Sequence, residues 1–211
     1  MVNASIITSS TLVKMIEMGA ANLRNHKDEI NKLNVFPVPD GDTGTNMNLS
    51  MASAVKELNN LSTEDLPTIL QAFMRGLLMG ARGNSGVLLS QLFRGFSQYL
   101  MEQDEITIIH FAKALDVGVQ TAYDAVTNPV EGTILIVAKD VAKVARDYAE
   151  TSEDFILFME KIVEEARLSL NRTPELLPIL KEVGVVDSGG KGLVVILEGF
   201  LAALKGEELE E

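Results

Sequence analysis

Nearly every long segment of this chain carries apolar residues at helical spacing, and four polar, glycine-bearing breaks interrupt the run, each before another helical segment. That pattern confines the fold to packed helices joined by loops. Leu12, Val13, Ile16, Ala20 and Leu23 share one face of a first helix, with Ser9 or Ser10 as the expected cap. The spacing then predicts a short helix over 29–33. Longer helices follow over 45–59, 66–79 with Pro67 in its first turn, 87–101 capped by Ser85, 106–126, 131–150 and 154–170. Pro174 is expected to open a short helix ending at Val183, residues 184–192 to form a loop, and 193–204 to form the last helix. The charged tail beyond Leu204 reads as frayed. Residues 183–186 and 192–197 are β-branched and resemble strands locally, but the whole favours an all-α domain, a barrel or bundle of about eight antiparallel helices.

Composition agrees. Of 211 residues, 46% are hydrophobic and only 5% aromatic, with no Trp, which suits packed helices better than a sandwich of strands. No repeat or linker divides the chain, so residues 1–211 are expected to form one domain. A formal net charge of −12 opposes nucleic-acid binding and docking on an anionic membrane. The absence of Cys excludes disulfides, thiolate zinc sites and a Cys nucleophile. Residues 1–10 lack the pattern of a signal peptide, and no apolar run approaches the roughly 18 residues of a transmembrane helix, so a soluble cytoplasmic protein is expected.

The first break, Pro37 to Asn46, carries the most chemistry. Asp40 and Asp42 stand one glycine apart, and two carboxylates aimed at one point repel unless a cation joins them. Thr43, Thr45 and Asn46 follow, and the free N–H groups of a helix start suit phosphate. An EF-hand reading fails, because counting from Asp40 the fifth, sixth and twelfth positions hold Gly44, Thr45 and Met51. Magnesium fits better, since it takes few carboxylates and completes its shell with water and phosphate oxygens.

The second break, Gly80 to Gly86, places Arg82, Gly83, Asn84, Ser85 and Gly86 before a helix, where backbone N–H groups approach a phosphate closely. No Gly-Lys-Ser/Thr follows, so it is not a Walker A loop. The third is Asn128 to Thr133. The fourth, Val186 to Gly192, contains Asp187, Ser188 and Gly189, with Gly190 where a Walker loop would hold Lys. Convergence of the four at one end of a bundle would make a metal–nucleotide site. His110, in an apolar run, reads as a satisfied, partly buried side chain and His26 as a solvated one, so no catalytic His is expected.

With these loops in this order, the chain resembles the DhaL-type nucleotide-binding domain of the dihydroxyacetone kinases. The stretch Leu33-Asn34-Val35-Phe36-Pro37-Val38-Pro39-Asp40-Gly41-Asp42-Thr43-Gly44-Thr45-Asn46-Met47 is more similar to the N-terminal domain of bacterial fatty acid kinase A subunits. The resemblance covers nearly the whole chain. It implies a barrel of antiparallel helices holding ATP at one rim, with two magnesium ions held by the first loop. Asp40 and Asp42 match two of the ligands. Asn34 lies where the dihydroxyacetone kinases carry a third Asp, so Asn34, Thr43 or water would complete the sphere. Asn46 matches a phosphate-contacting position, Gly83, Asn84 and Ser85 the phosphate loop, and Thr133 with Asp187 to Gly190 the nucleoside end.

The resemblance also implies that this is a domain excised from a longer chain and that a separate carrier protein presents the fatty acid. The expected reaction is phosphoryl transfer from Mg–ATP to a fatty-acid carboxylate. Such an acceptor is already ionised at neutral pH, with a pKa of about 4–5, and needs no general base. Arg82 or Lys191 would offset transition-state charge. The rival readings are the ATP domain of a dihydroxyacetone-type kinase, a non-catalytic nucleotide sensor and a structural metal-binding domain.

Overall fold

A computed structural model describes residues 5–130 and 133–209. Among the described residues it contains nine helices: α1 (Ser9–Leu33), α2 (Thr43–Asn59), α3 (Leu66–Gly80), α4 (Gly83–Met101), α5 (Ile108–Asp124), α6 (Ile134–Ala149), α7 (Phe155–Leu176), α8 (Pro178–Val183) and α9 (Ser188–Lys205). The expected all-α fold is what forms. The one sheet among these residues is an antiparallel pair, β1 (Ile6–Ile7) with β2 (Ile106–Thr107), in the register Ile6 to Thr107. The sequence reading had put residues 106 and 107 in a helix. Thr107 instead caps α5, its hydroxyl accepting from the His110 N–H, so the chain before it is extended and free to pair.

Several boundaries move for local reasons. Thr8, rather than Ser9 or Ser10, caps α1 by accepting from the Thr11 N–H at 3.1 Å. The short helix expected over 29–33 is the end of α1, because Ile30 lies seven residues beyond Leu23 and extends the same buried face. Pro174 lies inside α7 rather than opening a helix. The carbonyl of Leu170, which its missing N–H leaves unpaired, accepts the Thr173 hydroxyl at 2.7 Å. Asp187 caps α9 by accepting from the Gly190 N–H, so the last helix starts at Ser188, inside the expected loop. The expected start at Glu131 and the last two residues of the tail lie outside the described residues.

The eight long helices close into a ring. Each from α1 to α7 packs on the next, α7 packs on α9, and α9 returns to α1. The closing seam is tight because a Cβ on Gly199 would lie 2.6 Å from the Cα of Gly19, so the two backbones meet where neither carries a side chain. The buried Asn22 side chain donates to the Val195 carbonyl at 2.7 Å across that seam. Inside the ring, phenylalanines meet edge-on. Phe73 meets Phe93 at 5.4 Å, Phe93 meets Phe96 at 5.8 Å, Phe96 meets Phe111 at 5.2 Å, and Phe111 meets Phe155 and Phe158 at 5.8 and 6.2 Å. Such pairs add about 0.5–1.5 kcal/mol each beyond area burial. No helix among the described residues is long and apolar enough to cross a membrane.

Candidate functional site

Short connections make neighbouring helices of the ring antiparallel. Every second helix therefore begins at the same rim, and α2, α4, α6 and α9 all open into one cleft of about 720 Å³. The cleft brings together most of the residues singled out in the sequence. Asn34, Asp40, Asp42, Thr43 and Asn46 come from the first break, and Gly83, Asn84 and Ser85 from the second. Thr133 comes from the third, and Asp187, Ser188 and Gly189 from the fourth. Thr45, Arg82, Gly86 and Lys191 do not line it.

The first loop is shaped from the end of α1. The side chain of Asn34, the α1 C-cap residue, is buried, and its amide oxygen accepts from the N–H groups of Asp42 at 3.0 Å and Thr43 at 3.3 Å. Its amide nitrogen donates to the Val38 carbonyl at 3.1 Å. Asn34 thus spends its oxygen on two N–H donors, which leaves no free lone pair for the metal role expected of it. Asn31 accepts from the Thr45 N–H and donates to the Thr45 hydroxyl, both at 3.0 Å, which turns Thr45 toward α1 and out of the cleft. Positive φ at Gly41 makes the turn between the two aspartates. Asp40 is exposed, and its carboxyl is raised above its ordinary 3.8, first by a hydrogen bond with Asp42, then by desolvation and the Asp42 charge. Two carboxylates brought this near repel each other unless a cation joins them.

The start of α4 is different. Arg82 at its N-cap makes no side-chain cap bond, so no cap takes the first-turn N–H groups of Gly83, Asn84 and Ser85. Ser85, expected as a cap, is the third residue of the helix. Gly83 has φ of 63° and abuts the Asn46 amide, which a Cβ there would meet at 2.5 Å. The Arg82 guanidinium is exposed and turns back to the carbonyls of Ala81 at 2.8 Å and Met79 at 3.5 Å, beside the end of α3. Gly86 is buried against Ser50 of α2.

Asp187 joins the remaining two helix starts. Its carboxylate accepts from the Gly190 N–H of α9 at 2.8 Å and from the Ile134 N–H of α6, while its own N–H donates to Thr173. Burial pushes this carboxyl up to about 6, against the lowering effect of the two N–H donors. Thr133 does not cap α6; its hydroxyl donates to the Val130 carbonyl. Beside Asp187, the buried Ser188 hydroxyl donates to the Thr43 hydroxyl at 3.0 Å.

Among the described residues that line the cleft none is Lys, Arg or His. Lys191 lies 3.8 Å from Glu29 of α1 instead. Nor do the described residues hold a group of three or more His, Cys, Asp or Glu that could bind a metal ion by themselves. Positive potential therefore comes from helix starts, and Asp40 and Asp42 would leave most of a cation's shell to neutral oxygens, water or phosphate. The sequence reading missed the apolar flank of the cleft, Phe36, Val38, Val87, Leu88, Val126, Val130, Ile134 and Leu135. Its only signal is that each apolar residue lies in a break or within two residues of one. It also missed Asn31, whose signal is a second Asn one turn before Asn34.

The DAK2 domain family model matches residues 37–202. The chain is 59% identical over 201 residues to Protein YloV of Bacillus subtilis (strain 168), across 95% of this chain and 36% of that protein. It is 54% identical over 206 residues to an uncharacterized protein of Staphylococcus aureus (strain USA300), across 98% of this chain and 38% of that one. The chain thus spans little more than a third of the length of these relatives. Among solved structures, the dihydroxyacetone kinase from C. freundii in complex with AMP-PNP and Mg2+ has the same fold, with a TM-score of 0.68 at 18% identity over 94% of this chain and 34% of that one. The native form of that kinase gives a TM-score of 0.66 at 16% identity. With the family match running from the first loop to the last helix, the chain belongs to the DAK2 domain family.

Proposed function

We propose that the cleft binds ATP with magnesium, and that the chain is the ATP-binding domain of a kinase acting on a fatty-acid carboxylate presented by a separate carrier protein. A carboxylate oxygen attacks the γ-phosphorus, the bond from that phosphorus to the ADP oxygen breaks, and acyl phosphate and ADP result. The observation that carries the reading is that two carboxylates and the uncapped start of α4 face the same cleft. Bound magnesium would screen the phosphate charge. Asp40 and Asp42 would hold it, two ions being what the resemblance implies, with water and phosphate oxygens in place of Asn34. Gly83, Asn84 and Ser85 would hold phosphate oxygens with Asn46 beside them. Thr133 and the Asp187–Gly189 turn would hold the nucleoside end, with the apolar flank against the base.

The fatty-acid acceptor is supported by the Leu33–Met47 stretch; for a general base the described lining of the cleft offers Asp side chains but no His or Lys. A sugar hydroxyl would need its proton removed; a carboxylate would not. The runner-up is the ATP domain of a dihydroxyacetone-type kinase, favoured by the solved structures that share the fold. Full-length protein, ATP, magnesium and either a fatty-acid-loaded carrier or dihydroxyacetone distinguish the two, with hydroxylamine trapping the acyl phosphate. Hydroxamate formed only with the carrier supports the proposal. ADP released only with dihydroxyacetone transfers the assignment to the runner-up, and release with neither acceptor favours a nucleotide sensor.

A further inference from the structure

An Asp at a helix N-cap ordinarily folds its carboxylate back onto the N–H groups of the first turn. Asp42 occupies the N-cap of α2 and makes no such bond. One of its usual partners, the Thr45 N–H at the third helical position, is taken. The Asn34 amide oxygen accepts from the Asp42 and Thr43 N–H groups, and the Asn31 amide oxygen accepts from the Thr45 N–H. Both asparagines belong to the end of α1, so the cap of α2 is supplied by another helix. The carboxylate of Asp42 is thereby left free to face the cleft, which it lines together with Asp40. Gly44 permits the arrangement, since a Cβ there would overlap the Lys27 carbonyl and lie 2.9 Å from the Asn31 amide oxygen.

We infer that Asn31 and Asn34 are positioning residues that cap α2 in place of Asp42 and so free the Asp42 carboxylate for a divalent cation. The inference rests on the reading of Asp42 as a metal ligand. Without Asn31 the Thr45 N–H is open for Asp42 to turn back onto, and without Asn34 the turn that aims Asp42 loses its anchor; either way the carboxylate would meet the cation poorly. Groups that orient metal ligands typically affect metal affinity by about 10–100-fold.

The test titrates Mg2+ into the 211-residue chain at saturating ATP and reads the midpoint concentration, alongside ATP affinity in EDTA and the thermal midpoint. Asn31→Ala and Asn34→Ala are expected to raise the Mg2+ midpoint about tenfold or more while ATP affinity in EDTA stays within about twofold. Asn31→Asp keeps an acceptor for the Thr45 N–H and is expected to restore the parent midpoint. In a double variant with Asp42→Ala, the Asn34 effect should vanish, because the residue acts through Asp42. Three outcomes overturn the inference: an unchanged Mg2+ midpoint in both alanine variants, equal loss with and without Mg2+, or additivity with Asp42→Ala. If Asp42→Ala alone leaves the midpoint unchanged, the metal reading itself fails, which is a distinguishable result. Should Asn34→Ala fail to fold, the comparison of Asn31→Ala with Asn31→Asp decides.

Discussion

The Ser188 hydroxyl donates to the Thr43 hydroxyl across 3.0 Å, joining the first residue of α9 to the first residue of α2 over 145 positions of sequence. Both side chains are buried, so neither finds a substitute partner in bulk water. Thr43→Val removes the acceptor, strands the Ser188 hydroxyl and should cost about 1–3 kcal/mol. Ser188→Ala removes the donor, strands the Thr43 hydroxyl and should cost a similar amount, about 1–3 kcal/mol. Urea unfolding of the two variants checks both losses.

Asp187 predicts a pH dependence. Its carboxyl holds its proton up to about 6 in the folded chain, against an ordinary 3.8. A raised acid pKa means that folding is favoured while the proton is held. This contribution is fully present below 3.8 and is lost as pH rises to about 6. Asp187→Asn keeps an acceptor without the charge. The stability of the parent relative to this variant should therefore fall by on the order of 3 kcal/mol between pH 4 and 7. Denaturant titrations of both proteins across that range check the sign, and a parallel pH profile would contradict it.

Magnesium binding should depend on nucleotide. The described residues offer no group of three or more acidic or His side chains for an ion, so the reading has phosphate oxygens complete the shell with water. Calorimetry with Mg2+ alone should show weak binding or none, and addition of ATP should reveal it. Tight binding without nucleotide would favour a structural metal domain.

Arg82 is predicted to matter little for binding. Its guanidinium is exposed and faces the end of α3. Arg82→Ala should change Mg–ATP affinity by less than about threefold, the scale of a surface substitution.

Phe111 meets Phe96, Phe155 and Phe158 at the centre of the ring and is fully buried. Phe111→Ala should destabilise the chain by about 3–5 kcal/mol, read by denaturant unfolding.

The ring of helices and the convergence of its breaks were legible because both follow from local patterns. Apolar spacing marks the buried faces, and glycine with short polar side chains marks the helix starts. Contacts between distant segments were not legible in that way. Asn34 reads as a ligand through the resemblance, where the dihydroxyacetone kinases carry an Asp, and only the approach of α1 to α2 shows its oxygen spent on N–H donors. Asp187 reads as part of the nucleoside end, yet its partner at Ile134 lies 53 positions away on another helix. Arg82 reads as a cation for phosphate, while its guanidinium donates to the carbonyls of Met79 and Ala81 at the end of α3.

A crystal structure of the chain grown with ATP and Mg2+ tests the central proposal most directly. The account predicts metal density between the carboxylates of Asp40 and Asp42 and the triphosphate, with phosphate oxygens on the N–H groups of Gly83, Asn84 and Ser85. Nucleotide bound away from both carboxylates, or metal with no Asp40 or Asp42 ligand, would contradict it.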